Sequence, residues 1–279
     1  MATLFFIKGE IMIHICFNLD DKYVMPCRVL IRQIDAKTSD DITYHFIGID
    51  ERDMGTKNKC KFYPNPDLSY FSDENLGDYA YFSQAAMYRL LIPFLIKTDR
   101  AIYMDIDMVV LKDMKLLWDK KVDCVGAVID PCEIFRKKIL KTDAENYFNS
   151  GLILFNSKKI REDMPDYKER ILQAQKDYVL VLRDQDLFNI LFKDHITNLG
   201  YEFNIDANNL KEEQETIKTT KAKDRAFNNP VIVHCMGKEK WWNVTGLNYG
   251  DYWDKYAGKD IPANRKSCYR YNGLLIIRN

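Results

Sequence analysis

The sequence predicts an α/β protein built on a largely parallel sheet. Apolar runs of strand length alternate with segments of helical spacing along most of the chain. Its 279 residues suffice for one large α/β domain. One apolar run, "IYMDIDMVVL" (residues 102–111), carries two carboxylates, and ligands bind at the carboxyl ends of strands in open α/β sheets.

The elements follow in order. "MIHICFNLDDKYV" reads as a buried strand running into a polar loop. Pro26 sits where a helix can start, and "CRVLIRQI" continues with helical spacing. "ITYHFIGID" is a second strand. Residues 51–80, with Pro64, Pro66 and Gly77, read as irregular. "SQAAMYRLLI" looks helical and stops near Pro93. "RAIYMDID" is a third strand and "MVVLKD" a short fourth. "VDCVGAVID", "SGLILFN" and "PVIVHC" are further strands, and "RDQDLFNILFK" is a helix. The polar stretch 206–224 is the best candidate for a mobile or inserted segment. Residues 12–246 are expected to form one domain and 247–279 a less regular tail. Residues 1–11 are expected to be an extension or an extra strand.

Lys plus Arg and Asp plus Glu each number 41, so the net charge is zero, which argues against nucleic acid as the main partner. The seven cysteines (Cys16, Cys27, Cys60, Cys124, Cys132, Cys235, Cys268) are odd in number and lack CxxC spacing. They read as reduced thiols of a cytoplasmic protein, not as a disulfide framework or a zinc site. No stretch approaches the ~20 apolar residues of a membrane span. The start, "MATLFFIKGEIMIHICF", lacks the charged region and cleavage site of a signal peptide.

Asp105 and Asp107 are two residues apart, so on a strand they face one side together. Like charges repel unless a cation bridges them, and oxygen donors suit Mn²⁺ or Mg²⁺ completed by phosphate oxygens. The plainer reading is two aspartates facing water. A third is the DxDxV motif of a phosphatase, with Asp105 as nucleophile and Asp107 as acid. That motif normally opens its domain, whereas about 100 residues precede it here.

The remaining chain suits a sugar-nucleotide transferase. "FNLDDKYV" offers Asn18 and Asp20 for hydrogen bonds to a base or ribose, and Tyr23 for stacking. "VIVHCMGKEKWW" places His234 at a strand end, Gly237 where backbone approaches a ligand, and Lys240 as a positive charge for phosphate. Each has a dull alternative alone: a structural histidine, a packed tyrosine, one lysine among many.

Together these blocks resemble glycosyltransferase family 8, particularly the bacterial lipopolysaccharide galactosyl- and glucosyltransferases. "FNLDDKYV", "MYRLLIP", "YMDIDMVVLKDMKLLWD", "GAVID", "YFNSGLILFN", "DQDLFNILF" and "HCMGKEKWW" match family blocks in order. The resemblance implies a nucleotide-diphospho-sugar (GT-A) fold and a UDP-sugar donor. It also implies hexose transfer with retention to a glycan or lipid-linked acceptor such as lipopolysaccharide. The ion implied is Mn²⁺, with Mg²⁺ as the alternative, held by Asp105, Asp107 and His234. Donor contacts fall on Asn18, Asp20, Tyr23, Arg89, Ile106, Asp130, Asn149, Gly237 and Lys240. Asp184 and Gln185 match the residues beneath the reacting carbon. Two positions depart from the family: Asn18-Leu19 stand where small residues are usual, and Trp241 replaces the proline of "KPW".

Gln185 is a poor nucleophile, so the implied retention favours attack from the face of departure, with the leaving phosphate oxygen taking the acceptor proton. The tail "DYWDKYAGKDIPANRKSCYRYNGLLIIRN" mixes aromatic and basic residues. It reads either as a peripheral contact with the inner face of the membrane or as a segment packed on its own domain. A catalytically dead nucleotide-sugar binder is the remaining alternative.

Overall fold

A computed structural model describes residues 12–72, 84–130, 146–271 and 274–278. The early expectation for residues 1–11, and Cys132, lie outside the described residues.

A seven-stranded sheet has the order β3-β2-β1-β4-β7-β6-β8. Its strands are β1 (Ile13–Asn18), β2 (Ile42–Ile47), β3 (Lys59–Tyr63), β4 (Ala101–Met104), β6 (Val125–Ile129), β7 (Phe148–Phe155) and β8 (Ile196–Asn198). β7 alone runs against the others, antiparallel to both β4 and β6. Period-two alternation sorts side chains to the two faces. Ile13, Ile15, Phe17, Ile102, Met104, Leu152 and Leu154 pack with Cys27, Leu30, Ile31 and Ile34 of helix α1 (Val24–Lys37). Cys16, Tyr103, Ile153 and Phe155 point the other way. There they meet helices α2 (Ser157–Asp163), α3 (Tyr167–Asp177) and α4 (Asp184–Leu191) through Ile160, Tyr167, Ile171 and Phe188. Each fully buried aliphatic side chain contributes roughly 1.5–3 kcal/mol.

A small second sheet, β5-β10-β9, joins β5 (Met108–Val110), β9 (Ile205–Asp206) and β10 (Ile232–His234). Antiparallel pairing sets His234 opposite Met108. It thereby carries His234 to the aspartate pair from 127 residues away.

Several expectations change. The region 51–80 contains β3, an edge strand with no fully buried residue, whose two exposed lysines in "KCKFY" hid it. Gln84–Leu91 is a 3₁₀ helix. Pro93 does not stop it but sits in the first turn of the short α-helix Ile92–Leu95, where its missing N–H costs nothing. The stretch 206–224 is folded: it includes helix α5 (Leu210–Thr216), and Glu213 and Ile217 are buried. In the tail, helix α6 (Gly250–Ala257) buries Trp253 and Ala257. Arg32 of α1 pairs with Asp260 at 2.5 Å, so this part of the tail packs on its own domain. Strands β11 (Val244–Thr245), β12 (Lys266–Tyr271) and β13 (Leu274–Arg278) form a third sheet. No helix among the described residues is long and apolar enough to cross a membrane.

Candidate functional site

β4 ends at Met104 and β5 begins at Met108, so Asp105 and Asp107 occupy the turn between two sheets rather than one strand. They converge because the turn is pinned, not because of strand alternation. Asp105 N–H donates to the Gly151 carbonyl (2.8 Å), and Cys235 N–H donates to the Asp107 carbonyl (2.8 Å).

His234 Nε2 lies 3.1 Å from Asp107 Oδ1 and 3.9 Å from Asp105 Oδ2. One ligand atom from each of the three residues lies within 4.8 Å of the others. Behind the imidazole, Nδ1 sits 3.0 Å from Asn204 Oδ1, while Asn204 Nδ2 donates to Asn149 Oδ1 (2.9 Å). That amide orientation makes Nδ1 the proton carrier and directs Nε2 at the carboxylates. Two carboxylates and an aimed imidazole nitrogen fit a divalent cation.

Gly151 makes the room. A Cβ there would stand 2.5 Å from His234 Cε1 and 2.8 Å from Asp105 Oδ2.

The cleft has two joined cavities. One, about 200 Å³, includes Asn18, Asp20, Tyr23, Ile106 and Trp242 in its lining. The other, about 350 Å³, includes Asn149, Asp184, Gln185, His234 and Gly237. Arg89, Asp105, Asp107 and Lys240 line both. Asp130 lines neither. It is buried behind Gln185 Nε2 (3.1 Å) and Asn149 Nδ2 (3.4 Å), and meets the cleft through those amides.

At the first cavity, both polar side-chain atoms of Asn18 are buried with no hydrogen-bond partner among the described residues. Such a group costs free energy until a ligand satisfies it. Tyr23 meets Trp242 edge-on at 6.3 Å. Trp241, which replaces the usual proline, is instead wholly buried and donates to the Asn248 carbonyl (2.8 Å).

The charges are interlocked. Arg89 reaches Asp105 (3.1 Å), Asp184 (3.2 Å) and the Ser150 carbonyl (2.8 Å). Lys240 contacts Asp107 and the Cys235 carbonyl (2.6 Å). Burial opposes ionisation of Asp107, but Lys240 and His234 outweigh it and hold the carboxyl far below its usual range. Asp184 moves the other way: burial raises its pKa, and Arg89 only partly offsets this.

Sequence reasoning missed Tyr103, whose hydroxyl donates to Asp105, and also Ser150, Gly151, Asn204 and Trp242. The "FNSG" block held a signal for two of these; Asn204 carried none.

This arrangement belongs with a known family. The chain matches glycosyl transferase family 8 over residues 14–246, and it belongs to that family. It is 32% identical to general stress protein A of Bacillus subtilis over 187 residues, covering 61% of this chain and 65% of that protein. It is 28% identical to a lipopolysaccharide 1,2-glucosyltransferase of Escherichia coli over 220 residues, covering 68% and 62%. The first relatives are thus matched over less than two thirds of their own length. The galactosyltransferase LgtC, solved with donor and acceptor sugar analogs, superposes with a TM-score of 0.69 at 25% identity, covering 88% of this chain and 96% of that one. The bifunctional glycosyltransferase WbbM shares the fold at a TM-score of 0.73 and 21% identity, over 93% of this chain and 52% of its own. These neighbours define the GT-A fold.

Proposed function

We propose that this chain transfers galactose or glucose from a UDP-sugar to a glycan acceptor, with retention at the anomeric carbon. The observation that carries the reading is the convergence of Asp105, Asp107 and His234 at a cleft that also holds an unpartnered Asn18 amide and the Lys240 ammonium. Asn18, Asp20, Tyr23 and Trp242 would receive the nucleoside. Asp105, Asp107 and His234 would hold Mn²⁺ or Mg²⁺, which supplies Lewis-acid stabilisation of the leaving diphosphate. Lys240 and Arg89 add fixed positive charge where the leaving group gains negative charge.

Asn149, Asp184 and Gln185 would sit beneath the sugar. Gln185 Oε1 already accepts from Ser150 N–H and Asn149 Nδ2 (3.1 Å each). Asp184 Oδ2 is engaged by Arg89 and by the Ser150 hydroxyl (3.0 Å). Neither is a free nucleophile, which favours front-face attack with the departing phosphate oxygen accepting the acceptor's proton. Detection by mass spectrometry of a covalent glycosyl adduct on Asp184 would overturn this step.

The phosphatase reading loses its support: Asp105 follows the fourth strand, and its carboxylate is engaged by Arg89 and Tyr103. A lipid-linked acceptor would bring peripheral membrane contact through residues after Ala257. Equal liposome flotation of the full chain and a truncation there would remove that contact. The defining test is turnover on a panel of UDP-sugars with Mn²⁺. Slow UDP release from one donor, abolished by EDTA, is expected. UDP binding without release from any sugar would indicate a dead binder.

A further inference from the structure

A second cluster of ligating side chains lies away from the cleft. Asp123, Cys124 and His195 each place a ligand atom within 4.8 Å of the other two. His195 Nδ1 is 2.8 Å from Asp123 Oδ2, and both side chains are almost half exposed, at 46% and 43%. Cys124 is buried beneath them.

The backbone of all three residues is fixed. Val125 N–H donates to the His195 carbonyl (3.2 Å), joining the start of β6 to the edge strand β8. Asp123 N–H donates to Thr197 Oγ1 (3.1 Å). Asn156 clamps the other side: its N–H donates to the Cys124 carbonyl (2.9 Å), and its Nδ2 donates to the Asp123 carbonyl (3.0 Å). Three potential ligands are therefore held on a rigid frame.

We propose that Asp123, Cys124 and His195 form a second cation site, which takes a thiophilic divalent cation of the zinc class. A thiolate, an imidazole and a carboxylate are three protein ligands of the kind that leave a fourth tetrahedral position open to water. The sulfur separates this site from the oxygen-rich cleft, because thiolates favour Zn²⁺ over Mn²⁺ or Mg²⁺. Binding would tie β6 to β8, one of the two edge strands of the main sheet. The thiol, pushed up to about 11 chiefly by burial, would release its proton to solvent as the cation takes its place on the sulfur. The competing charge is Lys159, 3.5 Å from Asp123 Oδ1; displacing it leaves its pairing with Asp163 available. The cluster holds a single cysteine and His195 lies 72 residues from Asp123, so neither the cysteine count nor CxxC spacing, on which the expectation of no zinc site rested, could mark it.

The test uses the full chain stripped with chelator and titrated with Co²⁺ as the probe. A near-ultraviolet thiolate-to-cobalt charge-transfer band is expected at one equivalent, and Zn²⁺ should displace it. The band should vanish in Cys124→Ser, weaken about tenfold or more in His195→Ala, strengthen in Lys159→Ala, and persist in Asp107→Ala. Zn²⁺ should raise the Tm of the wild type but not of His195→Ala, which alters only a half-exposed side chain and so should fold. No band in the wild type, a band retained in Cys124→Ser, or an unchanged affinity in His195→Ala would overturn the proposal.

Discussion

The two halves of the cleft are built from different physics. The half around Asp105, Asp107, His234, Lys240 and Arg89 is charged, and its members come from the β4–β5 turn, the last residue of β10, the loop after it and the 3₁₀ helix Gln84–Leu91. The half around Asn149, Gln185 and Asn204 is mostly a network of amides on β7, α4 and the loop before β9, backed by the buried Asp130. Under the proposed function, the charged half would balance a cation and a diphosphate. The amide half would orient what the charged half binds. The Asn204–His234 contact couples the two.

Breaking the charged half should have the largest effect. Asp107→Ala should lower metal-dependent UDP release by about 10²–10³-fold, a loss comparable to removing a transition-state charge stabiliser. It also strands Lys240, which loses its carboxylate partner in a buried setting. Gly151→Ala should come next. Its added methyl meets the imidazole and Asp105 at under 3 Å, so Mn²⁺ affinity, read by titration calorimetry, should fall by about 10–100-fold. Asn204→Ala attacks the coupling. It frees the His234 ring to change tautomer and should cost about tenfold in Mn²⁺ affinity. Asn204→Asp, which keeps an acceptor facing Nδ1, should restore most of it.

The smallest effect is graded with pH. Glu213 lies beneath β9, and its carboxyl is pushed up to about 8 by burial, with Asp206 and Asp130 adding to the rise. The folded protein thus keeps a proton that the unfolded chain has lost above its ordinary value of 4.5. Stability is therefore highest at the acid end of this window and falls as pH rises towards 8, by about 1.4 kcal/mol per pH unit. Denaturant unfolding at a series of pH values should show this slope, and Glu213→Gln should flatten it without changing Mn²⁺ affinity.

The legibility of the sequence follows the same division. The charged half was readable, because Asp105-Ile106-Asp107 and His234-to-Lys240 are short runs of unusual residues within apolar strands. Their geometry was not, since the pair occupies a turn fixed by Gly151 of β7 and by Cys235, just past β10. The amide half was readable only where family blocks marked it, at Asn149 and Gln185. Asn204 sits in "YEFNID", which carries no local cue, and its role exists only because β9 pairs with β10. The fold shows the same limit. Apolar strands β1, β2, β4 and β7 announced themselves, while β3, with lysines and a half-exposed cysteine, did not. α5 hid its core contact because its inward-facing residues, among them Leu210, Glu213 and the following Ile217, are scattered through a charged segment.

The most direct measurement of the central claim is UDP affinity by titration calorimetry, with and without Mn²⁺, for wild type, Asp107→Ala and His234→Ala. The account predicts that Mn²⁺ strengthens UDP binding to the wild type by at least about tenfold and leaves both variants unchanged. Equal UDP affinity in all three proteins, with or without Mn²⁺, would contradict the placement of cation and diphosphate opposite the aspartate pair.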